Sequence, residues 1–106
     1  DIDAMVCWMS EAATLKTRDK LVIKHTTRVA KTLVKDVQYR LDINSLHRDE
    51  SANTLSLNEI GRIRLRTTVP LFYDEYRRNR TTGSFILIDE ATNTTVAGGM
   101  ILGPST

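Results

Sequence analysis

Apolar and polar residues alternate one by one along much of this chain, the spacing that puts successive side chains on opposite faces of a pleated strand. Arg62-Ile63-Arg64-Leu65-Arg66 shows it most clearly: the three arginines share one face, and Ile63 and Leu65 share the other. Lys20 to His25 reads as a second strand, closed by a turn at Thr26-Thr27, and Ala4 to Met9 as a third. The pattern changes between Gly83 and Leu102. Phe85-Ile86-Leu87-Ile88 and, from Val96 on, the strand Thr94 to Leu102 lack polar side chains at consecutive positions, separated by the polar Glu90-Ala91-Thr92-Asn93. This predicts a β-hairpin with cover on both faces, its own core on one side and a neighbour on the other.

Val29 to Asp42 fits two periods. Leu33, Val37 and Leu41 would share a helix face, yet Val37, Tyr39 and Leu41 also alternate with Gln38, Arg40 and Asp42. Its β-branched content and the strands around it predict one long, bent strand. Glu11 to Asp19 and Asn44 to Asn53 read as polar loops, with Gly61 a turn or bulge before the arginine strand. Leu71-Phe72-Tyr73 is a short apolar run, and Asp74 could cap a turn of helix over Glu75 to Arg78. Five or six strands with short connections point to an all-β fold, a small closed β-barrel in which closure removes exposed edges.

Composition narrows the class. The 106 residues, 41% apolar and 26% charged, suit a single globular domain, and a net charge of +2 is too small to imply nucleic acid. The single cysteine, Cys7, between Val6 and Trp8, is expected as a small buried hydrophobe, and such sparse usage fits a reducing cytoplasm. No apolar run has the length of a membrane span. The sequence enters its first strand almost at Asp1, as a domain cut from a longer chain would. Residues 1–102 are expected to form the barrel, and Gly103-Pro104-Ser105-Thr106 the start of a linker.

Chemistry is sparse. No G-x-x-x-x-G-K-[ST] run is present to cradle phosphate, and Gly98-Gly99 precedes no helix; a close backbone approach or a barrel corner is expected there. His25 and His47 have no second ligand at metal spacing and read as surface or loop side chains. No catalytic, cofactor-binding or metal-binding residue is assigned. Two basic groups remain. Arg62, Arg64 and Arg66 are expected to pair across strands with acids such as Asp36 or Asp42, or to meet an acidic partner. Arg77, Arg78 and Arg80, beside Tyr73 and Tyr76, combine charge with aromatics as an RNA surface can.

Several motifs carry a family resemblance. Phe85-Ile86-Leu87-Ile88-Asp89 followed by Thr95-Val96-Ala97-Gly98-Gly99-Met100-Ile101 resembles the last hairpin of the third domain in elongation factor Tu-like GTPases. Within that superfamily, Asn79 to Asp89, Lys24-His25-Thr26-Thr27-Arg28, Tyr39 to Asn44 and Leu57 to Arg62 resemble the GTPase subunit of sulfate adenylyltransferase. Asp89 stands where translation factors usually carry a basic residue, against tRNA binding. The resemblance implies a six-stranded antiparallel barrel, placed after a GTP-binding domain and a second barrel. It implies a parent subunit that couples GTP hydrolysis, with magnesium, to the formation of adenosine 5′-phosphosulfate from ATP and sulfate on a separate catalytic subunit. In some relatives an adenylylsulfate kinase domain follows, with Gly103-Pro104 a natural join. The expected partners are these sibling domains and the catalytic subunit, with neither membrane nor nucleic acid. The candidate contact residues are Arg62, Arg64, Arg66, Tyr76, Arg77, Arg78, Arg80, Ile86 and Ile88. The rival is an RNA-binding or protein-binding barrel of a translation factor.

Overall fold

The computed structural model describes residues 1–42, 44–68 and 83–104. The expected apolar run at Leu71-Phe72-Tyr73 and the cap at Asp74 lie outside them. The described elements are all strands: β1 (Ile2–Trp8), β2 (Leu15–Lys16), β3 (Lys20–His25), β4 (Arg28–Leu41), β5 (Arg48–Asp49), β6 (Thr54–Leu55), β7 (Ile60–Thr67), β8 (Ser84–Asp89) and β9 (Thr94–Pro104). Six of them hydrogen-bond in the order β3-β8-β9-β1-β7-β4, and β4 pairs back onto β3. Every pairing around that ring is antiparallel, so the sheet closes into a barrel.

The long strand makes closure possible. β4 pairs with β3 through Arg28 to Leu33 and with β7 through Thr32 to Leu41. Register shifts between Val34 and Asp36 and between Val37 and Tyr39 each insert a residue, which bends the strand between its two neighbours. Alternation then sends one set of side chains inward. Ala4, Val6, Ile23, Val34, Ile63, Leu65, Leu87 and Ile101 are buried in one core.

Two short ladders depart from the expected loops. Leu15 and Leu55 face each other in the β2–β6 pair and are fully buried, and Trp8 donates its indole N–H to the Ala13 carbonyl at 2.7 Å. β5 adds Arg48 and Asp49 to the end of β4. Gly61 lies inside β7, opposite Val6 and Arg40, and not in a turn. A Cβ there would come within 2.7 Å of the Tyr39 carbonyl oxygen and 2.8 Å of Leu55. Glycine is therefore the residue that lets Leu55 seat against the ladder. Gly99 faces inward against the ring of Phe85, which a Cβ would strike, so the close approach is of a side chain and not of backbone.

β9 continues to Pro104, with Gly103 and Pro104 opposite Asp3 and Ile2. Gly103 has φ of 151°, a conformation open in practice only to glycine, at the register shift beside Asp3.

Candidate interaction surface

The arginine stripe faces outward as a set, and its charge is answered from β1 and the residue before it. Asp3 is buried between Arg62 and Arg64: Arg62 Nη2 donates to Oδ2 at 3.0 Å and Arg64 Nε to Oδ1 at 3.2 Å. Arg66 Nε donates to Asp1 Oδ1 at 3.0 Å, and Lys35 Nζ to Asp1 Oδ2 at 3.1 Å. The expected partners Asp36 and Asp42 are corrected to Asp3 and Asp1. Asp36 does stand opposite Arg64 in the β4–β7 ladder, but the bulges re-aim β4 there. Asp42 instead accepts the backbone N–H of Asn44 at 2.9 Å and of Ser45 at 3.4 Å.

Those turn hydrogen bonds have an electrostatic signature. The amides of Asn44 and Ser45 hold the Asp42 carboxyl below its ordinary 3.8. The Ser51 hydroxyl and amide do the same for Asp49. Nearby, Arg40 reaches Asp49 and Glu59, each at 3.2 Å, and Arg48 lies 4.8 Å above the Tyr39 ring. The sequence motifs around Tyr39 to Asn44 and Leu57 to Arg62 thus build turns and clamps. Asn58, at φ 64°, donates its N–H to the Trp8 carbonyl, which ties the start of β7 to the end of β1.

Ile86 and Ile88 lie half-buried on the outer face of β8, while Phe85 and Leu87 fill the core. Cross-strand register places Ile86 beside Gly98, Gly98 beside Cys7, Cys7 beside Ile60, and Ile60 beside Leu41. An apolar belt therefore crosses the outside of the barrel from β8 to β4. Met5, Cys7, Ile60, Gly98 and Met100 line a shallow groove of ≈ 250 Å³ in it. Cys7 belongs to this belt and is only half-buried, correcting its expected place in the core; Val6 and Trp8 take the inward positions. His25 departs the other way: it is buried at the end of β3, whereas His47 is exposed.

A second charged face was not singled out from the sequence. On β3, Lys20, Val22 and Lys24 point outward. The register puts Lys24 between Ile86 and Val29, and Val22 between Ile88 and Lys31. The signal was present in Lys20-Leu21-Val22-Ile23-Lys24 as alternation, but its neighbours become visible only with the pairing. Tyr76, Arg77, Arg78 and Arg80 lie outside the described residues.

Among the described residues no three His, Cys, Asp or Glu side chains gather as metal ligands, and no helix is long and apolar enough to cross a membrane. A cavity of ≈ 560 Å³ opens beside Trp8, Glu11, Lys16, Asp19 and Asp89, with charges of both signs on its walls.

The same barrel fold occurs among solved structures. Sup35 complexed with GDP superposes with a TM-score of 0.86 at 19% identity, over 99% of this chain and 25% of that one. The chain belongs to the GTP-eEF1A C-terminal domain-like family, which matches residues 1–102. The bifunctional enzyme CysN/CysC of Mycobacterium tuberculosis is 56% identical over 102 residues, covering 96% of this chain and 17% of the relative. The enzyme of the same name from Rhodopirellula baltica is 50% identical over 106 residues, all of this chain and 16% of the relative. Sulfate adenylyltransferase subunit 1 of Bacteroides fragilis is 42% identical over 102 residues, 96% of this chain and 21% of the relative. The chain thus spans about a fifth or less of the length of the curated relatives it matches.

Proposed function

We propose that this barrel is the C-terminal, non-catalytic module of the GTPase subunit of a sulfate adenylyltransferase. In this reading it supports GTP-coupled formation of adenosine 5′-phosphosulfate through contacts with its sibling domains and a catalytic subunit. The observation that carries it is the 42% identity to a sulfate adenylyltransferase subunit 1 across 96% of the chain. GTP and magnesium belong to the parent's nucleotide-binding domain, and residues 1–102 act as one rigid body.

The geometry supports a contact role. A closed ladder has no strand edge to lend, so a neighbour must meet side chains. The apolar belt through Ile60, Cys7, Gly98 and Ile86 supplies them, without charge along its groove. Such a surface suits a sibling domain of the same polypeptide. Nucleotide state is transmitted only if that contact differs between the GTP and GDP forms.

The test uses the full-length subunit with its catalytic partner, measuring adenosine 5′-phosphosulfate formation with and without GTP. The wild-type pair shows GTP stimulation. Ile86→Asp lowers that stimulation about tenfold while GTP binding persists, as expected when a charge enters an apolar contact. Unchanged stimulation removes the belt from the mechanism. Absence of GTP-dependent product from the wild-type pair, together with salt-sensitive RNA binding lost on replacing Arg77, Arg78 and Arg80, overturns the reading in favour of a translation-factor barrel.

A further inference from the structure

The outer face of β3, with its neighbours on β4 and β8, combines charge and apolar surface. Val29 is 62% exposed, a large value for an aliphatic side chain on a paired strand. Val22, Ile86 and Ile88 are half-buried beside it. Lys20 and Lys24 stand among these residues and have no ion-pair partner among the described residues. Lys31, next to Val22, reaches Glu90 at 3.6 Å with both side chains well exposed, a contact that water and salt weaken readily.

We propose that this face docks an acidic protein surface on a separate polypeptide, with an aliphatic side chain seated among Val22, Val29 and Ile88 and carboxylates meeting Lys20 and Lys24. Charge complementarity chooses the sign of the partner. The contrast with the belt chooses its kind: an uncharged groove suits a permanent neighbour, whereas a lysine-rimmed apolar patch suits reversible, salt-sensitive association. The partner reads side chains, since β3 is paired on both sides and cannot accept an added strand. The choice of the catalytic subunit as the first probe rests on the function proposed above.

The experiment measures association of the full-length subunit with the catalytic subunit at low and moderate salt, alongside GTP-stimulated product formation. Lys20→Glu with Lys24→Glu weakens association about tenfold or more at low salt and flattens its salt dependence, and Val29→Asp weakens it as well. A chemical-denaturation profile that matches the wild type shows that the variants fold. If the wild-type pair makes product and associates, but the variants associate equally well, the docking proposal is overturned while the functional reading stands. If the wild-type pair neither associates nor makes product, the functional reading fails. The docking proposal is then decided by a labelled peptide of alternating glutamate and leucine. Binding to the full-length chain that is lost in Lys20→Glu with Lys24→Glu supports it. No binding, or an RNA oligonucleotide competing better for the same lysines, overturns it.

Discussion

On β7, Arg62 and Arg64 close on Asp3 at 3.0 and 3.2 Å, and Arg66 closes on Asp1 at 3.0 Å. On β3, Lys20 and Lys24 point outward four residues apart with Val22 between them, and no such acid answers them among the described residues. Both are cationic stripes on the outer face of one barrel. The difference is the neighbouring strand: β1 and the residue before it bring Asp3 and Asp1 to β7, whereas β4 and β8 bring Val29 and Ile86 to Lys24. A charge stripe is thus a structural staple or a docking surface according to what the ladder places beside it. Arginine suits the first role because its planar fork can bridge a buried carboxylate, and lysine suits the second because its flexible ammonium stays hydrated until a partner arrives.

The largest expected effect follows from removing the shared acid. Asp3→Ala leaves two guanidinium groups without their buried carboxylate and lowers the unfolding free energy by about 3 kcal/mol, discounted for the partial exposure of both arginines. Chemical denaturation reads this. A smaller loss, about 0.5 kcal/mol, is expected for Arg66→Ala, because its side chain is 60% exposed and its pair with Asp1 is screened. Lys24→Ala should lie within about 0.5 kcal/mol of the parent, since it removes no partner. A large loss at Lys24 would blur the distinction between the two faces.

Acid sharpens the contrast from a third site. The carboxyls of Asp42 and Asp49 sit below their ordinary value because backbone amides and Ser51 stabilise their charged forms. A depressed native pKa gives stability that is present above the ordinary carboxylate pKa and is lost as pH falls through the lower native one. Acidification below about pH 4 should therefore loosen the turns after Asp42 and Asp49. The backbone resonances of Asn44, Ser45 and Ser51 would shift with pH in the parent. In Asp42→Asn those of Asn44 and Ser45 would lose that response.

Local pattern carried much of this structure. Lys20 to His25 shows β3 with its turn, and the β-branched content of Val29 to Asp42 shows one bent strand where a helix was the alternative. The arginine face of β7 was equally legible from alternation. The identities of its partners were not, because Asp3 meets Arg62 and Arg64 only through a pairing some sixty residues apart in sequence. The same holds for His25 and Cys7, whose burial depends on which side of a closed sheet each faces. Leu15 and Leu55 sit in ladders of two residues, too short to leave a periodic signal. Gly61 looks like a turn in isolation, and only Leu55 and Tyr39 explain why no larger residue fits.

The internal neutralisation of β7 is tested most directly by a double-mutant cycle in chemical denaturation, combining Asp3→Asn with Arg64→Gln. A coupling of about 1–2 kcal/mol is predicted, since both changes remove the same partly buried ion pair. Additive losses would contradict the account, leaving Arg64 energetically independent of Asp3 and free to serve a partner.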